Sequence, residues 1–279
     1  MRQLYCIIIG CVIFAIPALA RSVEQCPVDR FNELVSEGKL DEAKTLLDTW
    51  PKKGRKSGDY YASQFNYYLN QSLHSGIQMA TSLPLYAYGT DVMTIQDTIN
   101  GGVAGYLYQG YAIVDSARMD SAIYWINAGI EKCPNRLDLY LGLASFYLYC
   151  DQSDNMLSTL ERAMCHERKN KGRWLWTMDE PVSEKAILVL RVQEDYARYI
   201  EAENLEGAET LTKLALKYYP TQCEYINNMA FIRYMQEDYA GAMSYFKMAL
   251  LQNPDDEIIQ GNIQYLEQLI NAGNPENEQ

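Results

Sequence analysis

Residues 237–254 read EDYAGAMSYFKMALLQNP, and the spacing within this stretch decides the predicted fold. Ala242, Phe246, Ala249 and Pro254 follow one another at intervals of 4, 3 and 5 residues. Intervals of three and four residues place side chains on one face of a helix. Proline ends such a helix, because it has no amide hydrogen to donate and its ring clashes with the preceding turn. The two small alanines allow a second helix to approach this face closely.

The same spacing recurs upstream, at a distance of 34 residues in the clearest case. One copy consists of Ala208, Thr212, Ala215 and Pro220, another of Ala122, Ile126, Gly129 and Pro134, and a degenerate one begins at Met156. An N-terminal copy reads GKLDEA at 38–43. One helix pair of this length has too little core to fold alone, so neighbouring pairs must stack. The pattern therefore predicts an array of helical hairpins.

The stretch 223–256 resembles the tetratricopeptide repeat (TPR) family. Residues of the character usual in that family stand at Ile226, Met229, Ala230, Tyr234, Asp238, Tyr239, Ala242, Phe246, Ala249 and Pro254, while Glu237 replaces the usual turn glycine. The resemblance covers roughly 28–51 and 111–254 and implies a binding scaffold with no chemistry of its own. Residues 134–138 and 174–177 also resemble a group of exported TPR proteins of Bacteroidota, which lends no function.

The expected fold class is all-α, a right-handed TPR-like α-solenoid of about five helix pairs over 21–271. The predicted pairs are 28–37 with 40–50, 59–75 with 116–132, 137–150 with 154–167, 183–202 with 205–218, and 222–236 with 239–252. A capping helix is expected at about 256–271, with its outer face polar, as a terminal repeat requires. The tail at 272–279 is short and polar and is expected to be disordered.

An insertion interrupts the second predicted pair. Within about 85–110, apolar residues alternate with a period near two, as in a strand, around Val92–Gln96 and Val103–Tyr108. Between them Asn100-Gly101-Gly102 is a turn signal, so we expect a small inserted β-hairpin. A helix over 103–117 is the alternative, although the glycines within and before it weaken that assignment.

Residues 1–20 have the pattern of a secretory signal peptide. Arg2 precedes an apolar run from Leu4 to Ile16, and Ala18-Leu19-Ala20 forms a small-x-small cleavage site. An uncleaved anchor is one alternative, although the run is shorter than the ~20 residues of a spanning helix. Lipidation at Cys11 is another. We expect an exported chain, in the periplasm, the cell envelope or the medium, with no integral membrane segment after cleavage.

Composition and motifs disfavour several function classes. The 279-residue chain has 24 Lys and Arg against 36 Asp and Glu, for a net charge of −12. That charge disfavours nucleic-acid binding and loose attachment to anionic membranes. Only His74 and His166 are histidines, and no GxSxG, HExxH or GxGxxG motif occurs. We therefore expect no enzyme, cofactor, metal or catalytic residue; a hydrolase stays open only because the many carboxylates could contain a catalytic pair.

The cysteines and tyrosines are interpreted mainly as packing residues. Five cysteines remain after the signal peptide, namely Cys26, Cys133, Cys150, Cys165 and Cys223, and their odd number leaves at least one unpaired within the chain. We interpret them as small, buried apolar residues and leave their pairing open. Nine of the 23 tyrosines lie between 60 and 111, where some should pack in the core and those of the hairpin should cover an edge.

Two basic clusters follow predicted helix ends. The first comprises Lys52, Lys53, Arg55 and Lys56, and the second comprises Arg168, Lys169, Lys171 and Arg173. Both lie in loops between helix pairs, so the solenoid should present them on the same edge. They form either a docking edge for an acidic partner or headgroups, or solvated helix ends, where cations are favoured in any case.

The expected function is non-catalytic protein or peptide binding by a scaffold in the cell envelope. By the resemblance, the inner helices line a concave groove, which points to Leu141, Ser145, Tyr149, Asn227, Phe231 and Tyr234 as partner-binding residues. The alternative is a carbohydrate-binding or nutrient-uptake accessory protein that uses Tyr and Trp surfaces. Trp174 and Trp176, in a linker at about 169–182, either pack this linker against the helices or face a ligand such as a sugar ring. The partner's identity and the oligomeric state stay open.

Overall fold

The computed structural model describes residues 26–182 and 187–272, which form two compact units. The first unit, 26–182, combines helical hairpins with a small antiparallel sheet, and the second, 187–272, is helical. The predicted signal peptide and the predicted tail after 272 lie outside the described residues.

The first unit contains six helices. These are α1 (Pro27–Ser36), α2 (Leu40–Thr49), α3 (Gly58–Ser72), α4 (Ser116–Lys132), α5 (Leu137–Tyr149) and α6 (Ser153–Asn170). Side-chain caps begin two of them, because Ser57 accepts a hydrogen bond from the amide of Tyr60 and Asp115 accepts one from that of Arg118. Between α1 and α2, Phe31, Ala43 and Leu47 lie in one buried cluster with Trp50.

The second unit contains five helices. These are α7 (Ile187–Glu201), α8 (Leu205–Tyr218), α9 (Cys223–Met235), α10 (Tyr239–Gln252) and α11 (Glu257–Ala272). Ala208 and Ala242, which stand at equivalent repeat positions, are fully buried. Glu203 and Glu237, also 34 residues apart, stand two residues after the ends of α7 and α9, at φ 54° and 61°, in the left-handed region that glycine adopts most easily. The turn geometry therefore persists although the usual turn glycine is absent.

The predicted fold class is confirmed, since helical hairpins account for most of the chain and a small sheet is inserted among them. Helices α4, α8 and α10 have the predicted bounds at both ends. One predicted helix is wrong at its end: it was expected to run to 75, but α3 stops at Ser72 and a strand begins at Leu73.

The inserted sheet has three strands, one more than the hairpin predicted. Its strands are β1 (Leu73–Ala80), β2 (Val92–Gln96) and β3 (Val103–Ile113), in the order β1-β3-β2, and both pairings are antiparallel. Gly101 and Gly102 have φ of 75° and 92°, as the turn between β2 and β3 requires. Strand β1 was missed because it exists by pairing with β3, a contact that no local pattern reveals.

One face of this sheet exposes apolar side chains. Met79, Leu107 and Met93 stand side by side across the three strands, and Ile77 next to Met79 is 80% exposed. No Lys or Arg occurs anywhere from Ser57 to Ala117. The outer strands β1 and β2 therefore lack the charged side chains that commonly protect a sheet edge.

Candidate functional site

A pocket lined by tyrosines lies between the sheet and the C-terminal end of α5. The ring centroids of Tyr111 and Tyr149 are 4.7 Å apart, and Tyr86 lies 5.5 Å from Tyr149 and 5.7 Å from Tyr111. Tyr108 contributes a fourth ring, 6.2 Å from Tyr86. The pocket has a volume of about 350 Å³, and Asp151 also lines it.

The four rings of the pocket come from three local structures. Tyr149 is the last residue of α5, Tyr108 and Tyr111 belong to β3, and Tyr86 stands in a short 3-10 turn, Leu85–Ala87. The hydroxyl of Tyr108 lies 3.4 Å from Oε1 of Gln78 and donates to it, which ties β3 to β1 beside the pocket. The insertion thus places its aromatic residues against α5.

Burial favours the neutral form of two phenols and one thiol at the pocket. Burial raises the pKa of Tyr111 to about 12, with smaller contributions from Tyr149 and Tyr86, and burial also raises the pKa of Tyr86 itself. Burial likewise raises the pKa of the Cys150 thiol to about 11. The phenols therefore offer ring faces and neutral hydrogen-bonding groups.

The six predicted partner-binding residues fall into two groups of three. Leu141, Ser145 and Tyr149 lie on α5 and are half-buried, and among them Tyr149 lines the pocket. The other three lie on α9 in the second unit. There the ring of Tyr234 is 6.2 Å from that of Phe231 and 6.3 Å from that of Tyr265, forming a partly exposed aromatic surface.

Sequence reasoning missed the pocket itself. The concentration of tyrosines between 60 and 111 was its signal, but that count does not say which rings meet. Tyr86 and Tyr111 are 25 residues apart in the chain, and Tyr149 is 38 residues further on. Only the packing of the sheet against α5 brings these three rings together.

The two predicted basic clusters are exposed and lie on either side of one turn. The thiol of Cys133 donates to the carbonyl of Lys56 at 3.3 Å, and the amide of Leu175 donates to the carbonyl of Asn135 at 2.8 Å. Lys132, in the last turn of α4, is also exposed and lies at this same turn. We call the two basic clusters together with Lys132 the basic edge.

Part of the basic edge satisfies helix ends. Arg55 donates from Nε to the carbonyl of Trp50 at 3.0 Å, just after α2, and Arg173 donates from Nε to the carbonyl of Asn170 at 3.1 Å, at the end of α6. The solvated helix-end interpretation therefore holds for these two arginines. Across 26–182 and 187–272, no side chain of the basic edge forms an ion pair with a carboxylate within 4.0 Å.

A buried arginine fastens the linker that follows α6. Arg136 is 1% exposed and donates to both oxygens of Asp138, at 2.9 and 2.8 Å. Its guanidinium also lies 2.9 Å from Asp59 at the start of α3 and 3.2 Å from Asp179 in the linker. Asp59 accepts a further hydrogen bond, from the amide of Met178, at 2.9 Å.

Trp174 packs the linker against the helices. It is buried, its Nε1 donates to Glu167 at 3.3 Å, and its ring centroid lies 5.7 Å from that of Tyr140 and 5.5 Å from that of His166. Of the two interpretations offered above, packing therefore describes Trp174, while Trp176 is half-buried.

His166, the cysteines and the residue types that bind metals are the candidate groups for a chemical site. His166 lies 2.9 Å from the side-chain oxygen of Asn135, and burial, followed by the charge of Lys169, lowers its pKa. Within 26–182 and 187–272, no three His, Cys, Asp or Glu residues stand close enough to hold a metal ion. The five cysteines named above are free thiols, and the prediction that they are buried is wrong, since all five are only half-buried. No helix in the described part of the chain is both long and apolar enough to cross a membrane.

Comparison with known proteins finds no matching family model and no matching curated protein. Among solved structures, a tetratricopeptide repeat protein from Parabacteroides merdae matches with a TM-score of 0.35 at 12% identity, over 88% of this chain and 72% of that one. PilW, a type IV pilus biogenesis factor, matches with a TM-score of 0.36 at 10% identity, over 93% of this chain and 97% of that one. TTC0263, a TPR protein of Thermus thermophilus, matches with 0.33 at 16% identity, over 88% and 100%. Likeness at these TM-scores supports no statement about function.

Proposed function

We propose that the protein is a non-catalytic scaffold that binds an extended polypeptide and holds one of its side chains in the tyrosine-lined pocket. The observation that carries this proposal is the convergence of Tyr86, Tyr108, Tyr111 and Tyr149 around about 350 Å³. Aromatic rings with neutral hydroxyls are frequent in peptide-binding sites, because they give a large contact area at little cost in conformational entropy.

The charge at the pocket suggests which side chain it holds. Asp151 lines the pocket together with electron-rich ring faces. A lysine or arginine of the partner could stack on a tyrosine ring and approach this carboxylate. We therefore propose a peptide with a basic side chain at its centre. The aromatic surface of Phe231, Tyr234 and Tyr265 is a separate candidate contact in the second unit.

We further propose that the scaffold works in the cell envelope or outside the cell. This proposal rests on the signal-peptide pattern of residues 1–20. Mass spectrometry of the protein recovered from the envelope or the medium tests it, and we expect a chain that begins at Arg21.

The decisive experiment for the pocket uses the mature chain and an array of synthetic peptides that contain lysine or arginine. We expect peptides to bind, and Tyr149→Ala to weaken binding at least about tenfold because it removes the ring nearest Tyr111. Asp151→Asn should weaken the binding of peptides that contain lysine or arginine more than the binding of peptides without them. Fluorescence anisotropy with a labelled peptide gives the affinities, and circular dichroism shows whether each variant is folded.

Tyr124→Ala serves as the matched control, since Tyr124 is an exposed tyrosine on α4 that does not line the pocket. It should bind like the unmodified chain. Equal affinities of folded Tyr149→Ala and Tyr124→Ala would contradict the assignment of the pocket.

Carbohydrate binding is the second candidate, because tyrosine faces beside Gln78 and Asp151 also suit a sugar ring and its hydroxyls. Trp174 does not support carbohydrate binding, because it is buried and packs against the helices. Calorimetric titration with a panel of oligosaccharides separates the two candidates. Carbohydrate binding would be favoured if an oligosaccharide gives a heat of binding that Tyr149→Ala abolishes, while no peptide of the array binds.

A further inference from the structure

The basic edge is a contiguous group of exposed cations without carboxylate partners in the described part of the chain. Elsewhere cations pair readily, as Lys39 does with Glu37 at 2.9 Å and Arg233 does with Glu209 at 2.7 Å. The sequence has 36 acidic residues to offer. In the described ranges, none of the nine cations of the basic edge makes such a pair. Their concentration on one edge therefore leaves a local excess of positive charge.

Helix geometry places these cations together. The first basic cluster follows the C-terminal end of α2, Lys132 is in the last turn of α4, and the second basic cluster begins in the last turn of α6. Two hydrogen bonds, from Cys133 to Lys56 and from Leu175 to Asn135, hold the intervening turn to both sides. The positive surface is therefore held in place by the packed part of the first unit.

An exposed apolar side chain, Met178, lies five residues after the second basic cluster, and its amide donates to Asp59, three residues after the first. Met178 is 47% exposed and adopts φ 62°, and the next residue, Asp179, adopts φ 57°. Left-handed backbone is unfavourable for residues other than glycine and persists only where surrounding contacts enforce it. Here Asp59 holds the amide of Met178, and Arg136 holds the carboxylate of Asp179. The buried network thus maintains a strained turn that presents a methionine to solvent.

We propose that the basic edge docks on an anionic phospholipid surface, with its lysines against the headgroup phosphates and Met178 in the interface. Its flexible, exposed lysine side chains suit charge spread over many phosphates better than one defined anion. An acidic peptide would match the charge equally well, but it gives no role to the exposed Met178. A lipid interface accepts an exposed apolar side chain such as Met178 on a surface that also carries cations, although Asp179 and Glu180 follow it in the chain.

The net charge of −12 does not oppose this docking at physiological ionic strength. The Debye length is then about 8 Å, so charges further than this from the membrane are largely screened. The cations of the basic edge would lie within that distance of the headgroups and dominate the interaction. Binding should accordingly weaken as salt rises.

The test is co-sedimentation of the full mature chain with vesicles of phosphatidylcholine, alone or mixed with phosphatidylglycerol. We expect binding to the mixed vesicles and none to phosphatidylcholine alone. Each lysine near an anionic surface contributes on the order of fivefold in affinity. The triple variant Lys52→Gln, Lys53→Gln, Lys56→Gln should therefore bind about a hundredfold more weakly.

A triple variant of the second unit gives the matched control. Lys213→Gln, Lys217→Gln and Lys247→Gln remove the same charge from α8 and α10, and this variant should keep most of the affinity. Equal losses in the two triple variants would show that net charge alone governs binding and would overturn the proposal. So would a chain that does not bind mixed vesicles even at low salt.

Met178→Asn distinguishes a lipid from an acidic polypeptide. Asparagine tolerates left-handed backbone, so the fold should persist while the apolar group is lost. We expect about tenfold weaker vesicle binding, with no change in binding to poly-glutamate. If poly-glutamate binds and the mixed vesicles do not, or if Met178→Asn leaves vesicle binding unchanged, the partner is not a membrane.

Discussion

Arg136 shows how much one buried side chain can organise. Its guanidinium neutralises Asp138, which is 1% exposed, and reaches Asp59 and Asp179 on two other segments. Gly58 is required beside it, because a Cβ at that position would lie 2.4 Å from the guanidinium. At this scale the contacts of one residue hold a helix start and a linker together.

Replacing Arg136 with methionine should destabilise the first unit by about 3–5 kcal/mol, because Asp138 would remain buried without its partner. Urea unfolding followed by circular dichroism gives the free energy of unfolding. Arg118→Met is the control: Arg118 pairs with Asp115 on the surface, and its loss should cost less than about 1 kcal/mol. Similar losses in the two variants would contradict this account of the network.

Glu209 makes the stability of the second unit depend on pH. Hydrogen bonds from Lys213, together with those from Gln236 and Arg233, lower its pKa to about 2, from an ordinary value of 4.5. A pKa that is lower in the folded state stabilises the fold above pH 4.5, and this stabilisation is lost as pH falls from 4.5 towards 2. We expect the ionised Glu209 to contribute about 1 kcal/mol to the free energy of unfolding, after allowance for solvent screening.

The measurement for Glu209 is the free energy of unfolding at pH 7 and pH 3. Glu209→Gln should be less stable than the unmodified chain at pH 7. At pH 3 the difference should shrink to less than about half of that value, because a carboxylate with a folded-state pKa of about 2 is then still largely ionised. A difference of the same size at both pH values would show that the ionised carboxylate is not the cause.

At the scale of elements, the repeat depends on small residues where helices cross. A Cβ added to Gly129 on α4 would lie 2.7 Å from Cβ of Tyr61 on α3 and 3.2 Å from Leu139 on α5. Helix α4 therefore approaches its neighbours more closely than alanine would allow. Gly261 on α11 has no atom within 4 Å of the same position.

The same substitution should therefore have opposite effects at these two glycines. Gly129→Ala should destabilise the first unit by about 1–3 kcal/mol through overpacking, whereas Gly261→Ala should stabilise α11 by up to about 1 kcal/mol through helix propensity. Urea unfolding of both variants tests this. A stabilised Gly129→Ala variant would mean that α3 and α4 can separate without cost.

At the scale of the whole molecule, the sequence predicts the helices, whose residue spacing is local, but not the contacts between distant segments. The positions of Ala208 and Ala242 predict the helices around them, because a helical stripe is visible within a dozen residues. The pocket at Tyr149 is not predictable in this way, since its rings meet only after the sheet has packed on α5. The role of Arg136 is likewise not predictable, because two of its three acidic partners, Asp59 and Asp179, lie far from it in the chain.

The sheet and its pocket also determine how a partner of this protein can be found. From Ser57 to Ala117 the chain has no lysine or arginine, so this region offers no amine to an ester crosslinker and no cleavage site to trypsin. Amine-reactive crosslinking will record neighbours of the basic edge and of the second unit while remaining blind to a molecule seated among the tyrosines. Photo-activated or carboxylate-directed reagents, with a protease that cuts at aromatic residues, are needed to detect that molecule.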